Sequence, residues 1–167
     1  GYKYAKLGYT TVFEPATLPS NARSAIIEMN DIPLIDKGTY TVLSNDDFLL
    51  KLIQKKTDQK KINDYVAWII QSTKSLGIKI VNPGGINAFK FNQRELDLDE
   101  KNKKYGITPR SILKVLTKSL IDLKAPHPIH VHGCNLGVPG NIKTTVKQIN
   151  AVEGKPMHLT HIQYHSY

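Results

Sequence analysis

Cysteine is almost missing from this chain: Cys134 stands alone, which excludes an internal disulfide framework and any zinc ribbon built on paired cysteines. A reducing, cytoplasmic setting is the expectation that follows. Long apolar runs are missing too. The longest, Val66 to Ile70, is far short of the roughly 20 residues that cross a bilayer, so no membrane span is expected. There is no G-x-S-x-G nucleophile elbow, no P-loop and no G-x-G-x-x-G, and Pro83-Gly84-Gly85 lacks the glycine spacing of a phosphate cradle. The first residues form neither a signal peptide nor a transit pattern, and the chain opens on Gly1, so residue 1 is not expected to be the natural start. Acidic residues are few, 14 against 23 Lys and Arg, for a net charge of +9. That excess gathers in Lys51, Lys55, Lys56, Lys60 and Lys61 and again in Lys101, Lys103 and Lys104, with no helix-turn-helix, zinc-finger or aromatic-basic RNA-binding signature. The expectation is solvated faces and no nucleic-acid partner.

What is present suffices for a core. The 167 residues, 40% hydrophobic and 22% charged, make one domain, 1–167. Tyr9 to Glu14 reads as a strand stopped by Pro15, and Ser20-Asn21 caps a short helix through Met29. Strand Thr39 to Leu43 is followed by a helix from Phe48 to Lys56, capped by Asn45 or Asp46. A second helix, Asp64 to Ser75, sets Tyr65, Trp68, Ile69 and Leu76 on its apolar side and is ended by Gly77. Strand Ile78 to Val81 stops at the turn Asn82-Pro83-Gly84-Gly85, and a polar loop runs from Asn87 to Gly106. Thr108-Pro109 opens a helix to Lys124. Strand Pro128 to Cys134, a turn at Gly137 to Gly140, helix Ile142 to Val152 and strand Met157 to Tyr164 complete the chain. Five strands joined by helices argue for a parallel sheet, either doubly wound or the middle of a barrel.

In such sheets chemistry collects at the C-terminal strand ends. Strand alternation puts Lys79 opposite Ile78 and Ile80, so in a barrel it is inside, where an unpartnered ammonium is expensive. His130 and His132, two apart on a strand, point to one side, and His127 points away. His161 and His165 share strand parity, His158 does not, and His161 is expected to converge with His130 and His132. Three histidines beside a buried lysine favour a metal site in which the lysine is neutral or chemically converted. Cys134 reads as a small buried filler.

These segments carry a resemblance. G-I-K-I-V-N-P-G-G from Gly77, I-T-P-R from Ile107, H-P-I-H-V-H-G-C-N-L-G-V-P-G-N from His127 and H-L-T-H-I-Q-Y-H-S-Y from His158, in this order, resemble the A subunits of formylmethanofuran dehydrogenases, of the amidohydrolase superfamily. G-Y-T-T-V-F-E-P-A from Gly8 and N-A-R-S-A-I-I-E-M-N-D-I-P from Asn21 extend the likeness over nearly the whole chain. The resemblance implies a partial (β/α)8 TIM-like barrel covering strands two to six, with a binuclear zinc centre. Lys79 would match the carboxylated lysine that bridges both metals, and His132 and His161 the ligands of strands five and six. His130, Asn135 and His165 would back the ligands or contact substrate. No catalytic residue is assigned within the chain, because the strand-one H-x-H and the strand-eight proton-shuttling Asp are expected outside it, and the isolated segment is expected to be inactive. The implied activity is condensation of formate with the amine of methanofuran, in a complex whose tungsten or molybdenum subunit reduces CO2 to formate. The alternatives are a zinc amidohydrolase acting on cyclic amides, like hydantoinases and dihydroorotases, and a non-catalytic basic binding module.

Overall fold

A computed structural model describes residues 1–85, 92 and 96–165. Residues 87–91 and 93–95 of the loop expected from Asn87 to Gly106 therefore lie outside the described residues. The element order is α1 (Tyr2–Lys6), β1 (Thr11–Thr17), α2 (Ala22–Asn30), β2 (Asp36–Val42), α3 (Asp47–Gln54), α4 (Gln59–Thr73), β3 (Gly77–Val81), α5 (Pro109–Asp122), β4 (Ile129–His132), α6 (Ile142–Ala151) and β5 (Met157–Leu159). Short 3-10 turns occupy Pro19–Asn21 and Ile162–Tyr164.

Local chemistry accounts for most boundaries. The Asp46 carboxylate accepts the Leu49 N–H at 2.8 Å and starts α3. The Thr108 hydroxyl accepts the Ser111 N–H at 3.2 Å and starts α5, with Pro109 in its first turn. Gly77 does not end α4, as expected; Lys74 does, in the left-handed conformation, and Gly77 opens β3. Nor does Pro15 end β1. The strand continues to Thr17, and its register with β2 shifts between Glu14 and Thr17, which is where an edge strand tolerates a residue that cannot donate to the ladder.

The strands pair in parallel in the order β1-β2-β3-β4-β5. No strand is skipped and no reversal of order occurs, so the doubly wound alternative, which needs a switch point, is not the topology of the described sheet. Alternation separates its two faces. Ile78, Ile80, Ile129 and Val131 are buried with Leu49, Leu50, Val66, Ile69, Ile112, Leu113 and Leu116 of α3, α4 and α5 in one apolar core. The opposite face carries Phe13, Tyr40, Lys79, His130, His132 and His158.

Two expectations are corrected here. Trp68 lies on the outer side of α4, 60% exposed, and the stripe Ile62, Val66 and Ile69 faces the core instead. The final strand stops at Leu159, well before Tyr164, because His161 adopts a left-handed conformation (φ 56°) that no ladder accommodates.

Candidate metal centre

Register places Lys79 of β3 beside His130 of β4, and His130 beside His158 of β5, so the three form a row across one face of the sheet. Val42 of β2 continues the row beside Lys79. One step nearer the C-terminal ends, His132 lies beside Val81. The turn at His161 brings that ring against His132, with centroids 5.2 Å apart and planes at 76°.

Lys79 is 2% exposed, and its Nζ donates to the Thr160 hydroxyl at 3.1 Å. Burial lowers its amine to about 8. Burial first, then the Lys79 charge, holds His130 down at about 3. His132 is held at about 4 by burial and then by His161 and Lys79. Both imidazoles are therefore neutral near pH 7, the state in which imidazole binds metal. His130 is sandwiched: Tyr40 stacks on it at 4.9 Å and His158 meets it edge-on at 4.5 Å. Its Nδ1 is buried with no hydrogen-bond partner among the described residues. Gly77 makes room for this arrangement, since a Cβ there would come within 3.2 Å of the Tyr40 ring.

The remaining expected residues are placed as follows. His165 is 2% exposed, with Nδ1 3.0 Å from the Thr145 hydroxyl and Nε2 2.8 Å from the Thr160 carbonyl. The Asn135 side chain accepts the Leu96 N–H at 3.4 Å, and its backbone is left-handed. Cys134 is buried, and burial pushes its thiol up to about 12, the state of an inert filler. His127 precedes β4 and does not point away; its ring packs edge-on against Tyr40 at 6.1 Å. The expected convergence of His130, His132 and His161 is not seen as one cluster. His132 is with His161 and His130 is with His158, and no three His, Cys, Asp or Glu side chains among the described residues are grouped to hold a metal.

Tyr40, His158 and Thr160 were missed as site residues. His158 fell to a parity count taken along a strand that in fact ends at Leu159. Tyr40 shares strand parity with Gly38 and Val42 in β2, and that parity could mark Tyr40 only once the neighbour of β2 is known.

No protein-family model matches the chain. Named relatives nevertheless match the whole chain. Over 167 residues the chain is 40% identical to the A subunit of the formyltransferase/hydrolase complex Fhc of Methylorubrum extorquens, spanning 100% of this chain and 30% of that protein. It is 39% identical over 178 residues to the protein FwdA of Methanocaldococcus jannaschii, again spanning 100% of this chain and 31% of the relative. The chain is a homologue of these A subunits. It superposes with a TM-score of 0.97 on a chain in the crystal structure of the FhcABCD complex of M. extorquens with methylofuran, at 40% identity, covering 100% of this chain and 31% of that one. The chain thus spans less than a third of the length of the A subunits it matches. The Lys79 and histidine face belongs to that shared segment, since the match covers the whole chain.

Proposed function

We propose that this chain carries the zinc-binding part of an A subunit that forms and hydrolyses the formyl amide of a methanofuran-type amine, working beside other subunits of a complex. The observation that carries the reading is Lys79: buried, with a hydroxyl as its hydrogen-bond partner, on a face shared with neutral His130 and His132. An ammonium there would be costly, and a carboxylated lysine would replace it with an anionic oxygen donor. Such a donor makes up what the histidines lack, since they form pairs and not a triad. Lys79, His132 and His161 would hold the metal, and zinc would supply Lewis acidity toward the formyl oxygen. His130, with an Nδ1 unpartnered among the described residues, would turn toward substrate or a neighbouring ligand. The M. extorquens relative, named for a formyltransferase/hydrolase complex whose crystal structure contains methylofuran, favours formyl chemistry over that of cyclic amides.

The fold supports the same reading. Five consecutive parallel strands with core helices on one face and ionisable side chains on the other suit an arc of a (β/α)8 barrel, whose inner face must be enclosed by further strands. The test is zinc per chain by elemental analysis in metal-depleted buffer, for this chain and for the His132→Ala, His161→Ala double variant. Zinc bound by the first and lost from the second is expected. Equal zinc in both, or none in either, rejects the assignment of these ligands.

A further inference from the structure

We propose that Thr160 is a positioning residue for Lys79, presenting its amine to CO2, and that α6 holds Thr160 in place through His165; the proposal rests on the reading of Lys79 as a carboxylated lysine. Thr160 follows β5, and both its backbone N–H and its hydroxyl donate to the Val131 carbonyl, at 3.0 and 3.1 Å. With its single proton committed there, Oγ1 can only accept, and it accepts from Lys79 Nζ at 3.1 Å. The bond uses an N–H of the amine and leaves the nitrogen lone pair outside it. A carboxylate in that place would pin the lysine as an ammonium, and a donor would cover the lone pair; a hydroxyl already spent as a donor does neither. Among the described residues no carboxylate pairs with Lys79.

The place of Thr160 is fixed from the helix layer. His165 Nε2 faces the Thr160 carbonyl at 2.8 Å, so that nitrogen carries a proton and donates. With the proton on Nε2, Nδ1 accepts from the Thr145 hydroxyl of α6 at 3.0 Å. With both ring nitrogens spent and 2% exposure, His165 serves as neither metal ligand nor substrate contact. Hydrogen bonds and one residue's backbone thus connect Thr145, His165, Thr160 and Lys79, and His161 sits on the turn they secure. The step itself is simple. The Nζ lone pair attacks the carbon of CO2, an N–C bond forms, one C–O π pair moves onto oxygen, and Nζ gives a proton to water, leaving the carbamate anion.

The experiment is ¹³C NMR of the full chain equilibrated with ¹³C-bicarbonate in zinc-supplemented buffer, integrating the carbamate carbon against protein concentration. Lys79→Ala serves as the blank. The chain itself and Thr160→Ser, which keeps the hydroxyl, are expected to label alike. Thr160→Val is expected to label at least tenfold less while keeping its circular dichroism spectrum and melting midpoint. Thr145→Val, which cuts only the far end, is expected to fall between them. Folded Thr160→Val that labels like the original chain overturns the positioning role and leaves Lys79 as a carboxylated residue. Loss of label in folded Thr160→Ser also overturns it. If Thr160→Val does not fold, Thr145→Val decides, and full labelling there overturns the connection. No carbamate in the unsubstituted chain removes both the Lys79 reading and this proposal.

Discussion

Lys79 sets the energetics of the site. Moving its amine from the usual 10.5 to about 8 means that the fold favours the neutral form, at a cost to the charged form of about 3 kcal/mol. The sign follows: between about 8 and 10.5 the unfolded chain holds the proton and the folded chain does not, so stability rises with pH through that window and carries the full penalty below it. Lys79→Met, of similar length and apolar, is therefore expected to raise stability at pH 7 by about 2 kcal/mol in CO2-free buffer and to flatten the pH dependence there, as read by urea denaturation at several pH values. A variant no more stable than the parent at pH 7 would show that the buried ammonium is accommodated. The histidines act with the same sign in a lower window. His130 and His132 are neutral in the fold and protonate only near 3 and 4, so stability is expected to fall as pH drops from about 6.5. At this scale the sequence was informative about which side a residue faces, because alternation in β3 and β4 is a local property. It could not show that Lys79 lies beside His130, since register is set by the partner strand.

Among the elements, α6 is unusual. It turns Thr144, Thr145 and Gln148 inward and leaves Ile142, Val146 and Ile149 from 44 to 47% exposed. The bounds of this helix are legible in the sequence but its buried side is not, because the inward face is polar. Its inward polar groups have named partners. The Gln148 carboxamide, fully buried, accepts the Cys134 N–H at 3.1 Å just past His132. Gly133 is required beneath it, since a Cβ there would lie 2.8 Å from the Gln148 amide nitrogen. Gln148→Leu leaves that N–H buried without an acceptor and is expected to cost about 1 to 3 kcal/mol in denaturant unfolding. An unchanged midpoint would mean that the strand end holds itself. The misread length of β5 has a similar origin. Leu159, Ile162 and Tyr164 invite a strand reading, and only the left-handed backbone at His161, invisible in a propensity pattern, folds the segment into a turn.

For the whole molecule, the sheet has two unpaired edges, β1 and β5, in the described residues. Unpaired parallel edges are templates for further pairing, so this chain is expected to associate in solution, with a weight-average mass by light scattering that rises with concentration. A concentration-independent monomer would show that its edges are protected. The sequence carried the parallel class and the five strands; choosing between doubly wound and barrel-like order needed the pairing itself, which no local pattern encodes.

That pairing order has a kinetic side. Each strand lies against the one synthesised just before it, so no strand waits for a partner from far downstream. The sheet can be laid down in the order in which the ribosome delivers it, each new βα unit docking on an edge already formed. The histidines of β4 and β5 are then the last of the row to arrive, and the lysine is in place before them.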